Sequence, residues 1–300
     1  MDNKRLFDVN VRKYCTDKNF SVYYPASINN PRNHAVMFVT EGYLERASEL
    51  SNFFECLIFW PKEVTCPNEI EKKHAVKYCK NPRLSYCNFF SENQIKSIPY
   101  PTEGTYQNGA FIGSEAVIGH NCVIMPFSYI GSEVILGDRV YVGSGAKLVG
   151  KVRIGSDVII RENSVIGADG LSTDRNEDGT AATMPQFGGV IINDHVEIGA
   201  NTVIARGAID DTIIQSGSKI DNQCFISHNV VIGKNTFIVG ESILFGSSST
   251  GDNVFISGNS TVRNGIHIGD KVFVGMGAVI TKDLYPEEIA YGNPARTYKK

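Results

Sequence analysis

The sequence predicts a mainly β protein in which a parallel β-helix of six-residue repeats follows a small α/β domain. The 300-residue chain changes character near residue 100, and from Ile112 onward an aliphatic residue recurs at every sixth position. A period of six matches neither the 3.6 residues per turn of a helix nor plain strand alternation. It fits a short strand followed by a corner, and such units bury their apolar side chains only by stacking.

The repeat occupies two stretches of the chain. Its first inward positions are Ile112, Ile118, Ile124, Ile130, Leu136, Val142, Leu148, Ile154, Ile160 and Ile166. The register returns at Ile192, slips by four residues around "IDDT" (209–212), and then runs from Ile214 to Ile280 with Thr250 as the exception. The alternative, an α/β fold, needs amphipathic helical stretches, which the repeat region lacks. We therefore expect one column of aliphatic side chains.

The predicted organisation is an α/β domain over 1–100, the β-helix over 104–285 and a short C-terminal tail over 286–300. Within the repeat region, residues 170–189 are polar and carry no hexad. They must leave the coil as an excursion, and long loops in compact domains are commonly functional.

Composition excludes several classes of protein. The net charge is −3 and the sequence has no basic block, so no positively charged surface for binding a nucleic acid is predicted. The apolar runs are too short for a membrane span, and no apolar core follows the first charges, so we expect a cytoplasmic protein. Seven scattered cysteines without a CxxC pair indicate reduced thiols rather than disulfides, and no metal site is predicted.

The hexads resemble those of the hexapeptide-repeat acyltransferases. The strongest similarity is to the UDP-3-O-acylglucosamine N-acyltransferases of lipid A synthesis, through "GADG" (167–170), "PQFGGVIINDHVEIGANTVIARGAIDDT" (185–212) and "KIDNQCFISHNVVIG" (219–233). This resemblance implies that the β-helix is left-handed with three hexads per turn, that the protein is a homotrimer, and that the excursion helps to cover the site.

His228 is the candidate catalytic base. It occupies the third position of its hexad, a corner, and the resemblance places the family's base on this histidine, in the cleft between adjacent subunits. An amine that attacks a thioester must lose a proton, and an imidazole accepts protons near neutral pH. His120 shares the hexad position but not the motif. Asp210, Asp221 and Asn222 are predicted to support His228, although Asp and Asn also simply cap turns.

Phe38 and Tyr43, in "MFVTEGYL", are candidates for a uridine clamp. They lie where the resemblance implies an aromatic pair around uracil, and "NPRLSYCNFF" (81–90) is similar to the family's step before a helix. The alternative is that both aromatic rings belong to the domain core.

The acyl donor is predicted from two departures from the lipid A enzymes. Gly265 stands where those enzymes tend to carry a second histidine, and the chain ends without their helical extension. Its ending, "YGNPARTYKK", is similar to that of hexapeptide acetyltransferases using acetyl-CoA, so Arg296 with Lys299 and Lys300 is predicted to meet CoA phosphates. A solvated tail is the alternative.

The predicted function is N-acyl transfer, with an acetyl group favoured, from a thioester to the amine of a nucleotide-linked amino sugar for bacterial surface glycan or lipopolysaccharide synthesis. Acyl-CoA or acyl carrier protein is then a co-substrate, and no permanently bound cofactor is expected. The first alternative is a UDP-3-O-(3-hydroxyacyl)glucosamine N-acyltransferase using acyl carrier protein. The second is a non-catalytic β-helix scaffold.

Overall fold

The computed structural model describes residues 5–97 and 103–298 and divides into two compact units. The first unit combines residues 1–98 with 171–187, and the second contains the remainder. Across the described ranges, no helix has the length and apolar character needed to cross a bilayer.

The first unit is built on a four-stranded parallel sheet whose strands follow chain order: Tyr24–Pro25, Ala35–Phe38, Leu57–Pro61 and Ala75–Cys79. A two-stranded antiparallel ribbon joins Val9–Asn10 to Ser21–Val22. The helices are α1 (Asn68–Lys73), α2 (Pro82–Glu92) and 3-10 segments at Val11–Lys13 and Glu41–Asn52. Met37, Ile58 and Trp60 are fully buried in its core.

The predicted excursion contains regular structure. Thr173–Arg175 and Ala181–Thr183 pair as an antiparallel hairpin, which belongs to the first unit. Arg83 in α2 donates to the carbonyl of Thr173 at 2.6 Å, and Asn81 donates to Asp174 at 3.3 Å. The excursion, which follows no hexad pattern, is thus bound to α2 by hydrogen bonds.

The second unit is a triangular β-helix with three parallel faces, which we number in the order in which the chain visits them. Face 1 comprises Gly104–Gln107, Ala110–Gly113, Tyr129–Ile130, Lys147–Leu148, Val165–Ala168, Val203–Ala205, Phe225–Ile226, Ile243–Leu244, Thr261–Val262 and Val279–Ile280. Face 2 comprises Val117–Ile118, Val134–Leu136, Val152–Ile154, Val190–Ile192, Thr212–Ile214, Val231–Ile232, Ser249–Thr250 and His267–Ile268. Face 3 comprises Val123–Ile124, Tyr141–Val142, Ile159–Ile160, Glu197–Ile198, Lys219–Ile220, Phe237–Ile238, Phe255–Ile256, Phe273–Val274, Ile289–Tyr291 and Arg296–Tyr298.

The hexad aliphatics form the core of this unit. From Ile130 to Ile166 every hexad aliphatic is at most 4% exposed. Thr250 keeps its inward position, because its hydroxyl accepts the N–H of Gly233 at 3.0 Å. Ile118, in contrast, is 37% exposed, since its strand is the terminal one of face 2 and is stacked on one side alone.

The C-terminal segment differs from the predicted tail. Ile289–Tyr291 continues face 3 by pairing in parallel with Phe273–Val274. Arg296–Tyr298 then turns back antiparallel on it, with the rings of Tyr291 and Tyr298 stacked 4.5 Å apart. The coil therefore extends beyond residue 285.

Candidate active site

Both breaks in the hexad register fall at the same corner of the β-helix, the one that joins face 1 to face 2. We call it corner 1/2; in successive coils it is formed by residues 169–170 with 188–189, at the two ends of the excursion, and by 206–211, 227–230, 245–248 and 263–266. The 20-residue and four-residue insertions thus lie in the two coils that precede the coil of His228. Corners tolerate extra residues because the inward side chains on either side of them stay stacked.

His228 lies half-buried at corner 1/2, packed between glycines of other coils. A Cβ at Gly246, one coil later, would come within 2.5 Å of Cε1 and Nε2 of the imidazole. A Cβ at Gly170, where the excursion leaves the coil, would lie 2.8 Å from the Cβ of His228. These glycines are needed for the space that the imidazole occupies, so the ring position is fixed by backbone on two sides.

Asn229 contacts the imidazole directly, and the sequence prediction missed it. Its Oδ1 lies 3.1 Å from Nδ1 of His228, while its Nδ2 donates to the carbonyl of Asp210 at 2.7 Å. Its backbone has a left-handed φ of 61°, a conformation that Asn tolerates better than most residues. Because Asn121 after His120 has the same conformation, the Asn of "HN" resembles an ordinary turn residue in the sequence.

Asp210 lies at this corner, half-buried in the turn beneath His228, where its backbone carbonyl accepts from Asn229. The same turn begins with Arg206, which is 5% exposed and binds Asp169 at 2.6 Å. That ion pair links "RGAIDDT" to "GADG", a connection between two motifs that the sequence did not reveal.

Asp221 and Asn222 lie elsewhere, which corrects the prediction that they stand beside His228 in the same chain. They occupy corner 3/1, which joins face 3 to the next face 1. Asp221 accepts the N–H of Gly240 at 3.1 Å, and Asn222 accepts that of Ala200 at 2.6 Å. Both line a surface hollow of about 420 Å³ together with Phe237 and Phe255.

The competing histidines fall outside corner 1/2. His120 and His195 are exposed at corner 2/3, where His195 lies 3.9 Å from the Asp157 carboxylate. His267 lies on face 2 with its Nδ1 2.9 Å from the hydroxyl of Ser249. The shared hexad position of His120 and His228 therefore does not place them at equivalent corners.

The predicted donor-binding residues separate in the structure. Gly265 is on the column of His228, since its N–H donates to Gly246 at 3.0 Å, and open space surrounds the position of its absent Cβ. Arg296 is exposed in the terminal strand of face 3. Lys299 and Lys300 lie outside the described residues.

Phe38 and Tyr43 lie in the first unit, on either side of a segment, Thr40–Gly42, that lines a groove, but neither residue lines that groove itself. Phe38 ends its strand and packs against Tyr86 with ring centroids 5.0 Å apart, whereas Tyr43 is 44% exposed. The groove, about 1080 Å³ in volume, is lined by Thr40–Gly42 and by Lys80 and Asn81, at the carboxyl ends of the parallel strands. Open parallel sheets commonly bind ligands at that edge.

Among the residues that the structure describes, no group of three or more His, Cys, Asp and Glu side chains has an arrangement suited to a metal ion. The cysteines there are free thiols, and burial raises the pKa of Cys56 and of Cys224 to about 11.

Comparison with known proteins identifies the repeats. The bacterial transferase hexapeptide family (six repeats) matches residues 115–150 and 133–168, and the hexapeptide repeat of succinyl-transferase matches 247–282. A UDP-3-O-acylglucosamine N-acyltransferase of Coxiella burnetii is 36% identical over 192 residues, 56% of this chain and 54% of the relative. One of Francisella tularensis subsp. holarctica is 57% identical over 79 residues, 26% of this chain and 23% of the relative. The chain spans about half the length of the first of these relatives and less of the second.

Solved structures share the fold. The UDP-N-acetylglucosamine acyltransferase of Bacteroides fragilis 9343 superposes with a TM-score of 0.59 at 26% identity, covering 65% of this chain and 74% of that one. The enzyme of Campylobacter jejuni gives 0.58 at 20% identity, covering 64% and 73%. These neighbours confirm the predicted left-handed parallel β-helix, and the parallel sheet and helices of the first unit confirm the small α/β domain that precedes it. Residues 115–168 and 247–282 thus carry hexapeptide repeats, and the second unit has the left-handed β-helix fold found in the UDP-N-acetylglucosamine acyltransferases.

Proposed function

We propose that the protein is an N-acyltransferase that acylates the amine of a UDP-linked 3-O-acylglucosamine, for lipid A synthesis. The observation that carries the proposal is the placement of His228 at corner 1/2, where both register breaks and the three matching motifs converge. The names of the relatives favour this acceptor, the first alternative from the sequence, over a general amino sugar with an acetyl donor.

The chemistry assigned to His228 is general base catalysis. The sugar amine attacks the thioester carbonyl, and its nitrogen gives a proton to the imidazole as the tetrahedral intermediate forms. Collapse of the intermediate forms the amide and releases the thiol, which receives the proton. No permanently bound cofactor is needed for these steps.

Acyl carrier protein is the proposed donor in place of acetyl-CoA. The acetyl-CoA prediction rested on Gly265 in place of a second histidine and on an ending similar to that of acetyl-CoA enzymes, in which Arg296 would meet CoA phosphates. Within one copy, Gly265 lies on the His228 column while Arg296 lies at the edge of face 3. Arg296 of the same copy therefore lies apart from the His228 column.

The sugar nucleotide is proposed to place its uracil against the exposed ring of Tyr43 in the first unit. The exposed Tyr43 ring is available for stacking on a base, whereas Phe38 already packs against Tyr86. Phe38 therefore contributes at most one free ring face to the clamp.

A cytoplasmic homotrimer is the proposed assembly, with each site shared between two copies. A cyclic trimer joins unlike surfaces of neighbouring subunits. Asp221 and Asn222 at corner 3/1 can support His228 only if corner 3/1 of one copy faces corner 1/2 of the next. Phe237, Phe255 and Phe273 leave an apolar strip beside corner 3/1, at 38–47% exposure, which a neighbouring copy would cover.

The decisive assay supplies UDP-3-O-acylglucosamine with 3-hydroxyacyl-acyl carrier protein or with acetyl-CoA and measures amide product and thiol release. We expect turnover with the acyl carrier protein. Preference for acetyl-CoA would instead support acetyl transfer from that donor. No turnover with either donor would favour the alternative of a non-catalytic β-helix scaffold.

Shared sites are tested by co-expressing His228→Ala with Asp221→Ala. Trimers that contain both chains can form an interface with the two intact residues, so mixing should recover activity that each variant lacks alone. No recovery would place Asp221 outside the site.

A further inference from the structure

We propose that Asn229 is the positioning residue of the site: its amide oxygen binds Nδ1 of His228 and so fixes the orientation and the tautomer of the imidazole. This inference rests on the proposed function, since it assumes that His228 is the base.

The orientation of the Asn229 amide follows from its other partners. Nδ2 donates to the carbonyl of Asp210 at 2.7 Å, and Oδ1 accepts the N–H of Ala208 at 3.0 Å. Reversing the amide would place Nδ2 against the N–H of Ala208, two donors, and Oδ1 against the carbonyl of Asp210, two acceptors. Oδ1 is therefore the atom that faces the imidazole.

The tautomer of His228 follows from that orientation. An amide oxygen only accepts hydrogen bonds, so Nδ1 at 3.1 Å must donate and carry the proton. A neutral imidazole has one protonated nitrogen, which leaves Nε2 as the basic atom. Gly246 lies against Cε1 and Nε2, so this basic edge faces the column that leads to Gly265.

Asn229 is itself fixed in place by the coil below. Its backbone N–H donates to the hydroxyl of Thr212, a fully buried residue, at 2.9 Å. With both amide atoms and the backbone engaged, the side chain has no freedom to follow a rotating imidazole. It therefore holds the base in one orientation, as the third group of a catalytic triad does.

An amide at this position has a different effect from a carboxylate. The charged groups on segments next to the imidazole are Asp210 in the turn below and Asp169, which precedes Gly170 and is paired with Arg206. Asn229 adds no charge to them, so it orients the imidazole without favouring its protonated form.

The test uses Asn229→Gly and Asn229→Asp, with Asn121→Gly as the matched control. Glycine keeps the left-handed backbone and removes only the amide, and Asn121 has the same conformation after His120 with φ of 58°. We expect Asn229→Gly to lower kcat by about 10- to 100-fold with little change in KM, the range found for groups that orient a functional histidine. Asn121→Gly should match the parent.

Asn229→Asp gives a measurement that should not change if the role of Asn229 is purely structural. Its carboxylate would favour the imidazolium, so the acid limb of the kcat/KM profile should shift to higher pH. An unshifted limb, or an Asn229→Gly enzyme within twofold of the parent, would overturn the inference. If His228→Ala is inactive while Asn229→Gly is normal, only the inference fails; a fully active His228→Ala removes the proposed base itself.

Discussion

Corners 1/2 and 2/3 of the β-helix are made from the same six-residue unit, yet they differ in regularity. At corner 2/3 a side-chain oxygen accepts an N–H from the preceding coil in three consecutive steps: Asp138 accepts from His120, Ser156 from Asp138, and Asp194 from Ser156. This ladder continues although the partners are 18 residues apart for Asp138 with His120 and 38 apart for Asp194 with Ser156. Insertions at corner 1/2 therefore leave the other corners undisturbed, and chemistry can be added at one edge of a uniform core.

The largest expected effect concerns the core that both corners share. Ile220→Asp places an unpaired carboxylate in the aliphatic column, where Ile220 is 1% exposed, and should destabilise the β-helix by more than about 4 kcal/mol. Thermal unfolding measures the effect. Lys219→Asp, on the neighbouring outward position, is the control, and equal stability of both variants would contradict the column.

The two corners are compared directly by their histidines. His228→Ala should reduce kcat by about 10²–10⁴ with substrate binding nearly unchanged, because proton transfer stabilises the transition state alone. His120→Ala, at corner 2/3, should turn over like the parent in the same assay. Equal losses in both variants would remove the distinction between the corners.

Gly246→Ala probes how the base is seated. The added methyl would overlap the imidazole edge at 2.5 Å, and displacement of a catalytic group by about 1 Å can cost on the order of 10²-fold in rate. Gly131→Ala, at the same corner with its nearest contact at 3.2 Å, should lose little. Rates that are alike for the two variants would show that His228 is not held by Gly246.

Tyr43→Ala tests whether the first unit contributes nucleotide binding to the chemistry at corner 1/2. Loss of one base stack should cost about 1–3 kcal/mol of binding free energy for the sugar nucleotide. KM should therefore rise while kcat stays intact. Tyr106→Ala, which removes an 81% exposed ring from face 1, provides the control. An unchanged KM would return Tyr43 to a structural role.

The smallest expected effect concerns His74, a histidine without a proposed catalytic role. Burial lowers its pKa below the ordinary value; Nδ1 accepts the N–H of Cys56 and Nε2 donates to the carbonyl of Leu50. Because the folded state favours the neutral ring, its stabilisation is present above about pH 6.5 and is lost as pH falls below that value.

The single tryptophan, Trp60, lies in the same unit and reports its unfolding by fluorescence. The midpoint of thermal unfolding should be lower at pH 5 than at pH 7. The difference should be smaller in His74→Gln. An unfolding midpoint that is the same at both pH values would contradict the expected contribution of His74 to stability.

The sequence was sufficient to predict the aliphatic column because a period of six specifies which side chains point inward. It was not sufficient to assign corners, which repeat only every three hexads. His120 and His228 are separated by a multiple of 18 residues, but the two insertions between them move His228 to a different corner. Asp221 was misplaced because it lies in the hexad before that of His228, and consecutive hexads lie on different faces. Asn229 was missed because a left-handed corner favours Asn whether or not it touches a histidine.

The antiparallel strands at the two extremes of the solenoid have a consequence for self-association. Exposed edges of parallel coils are templates on which another solenoid can continue the ladder into a fibre. Gly104–Gln107 ends face 1 by reversing direction, and Arg296–Tyr298 does the same on face 3. At each extreme, one face thus presents a strand of the wrong polarity for end-to-end polymerisation.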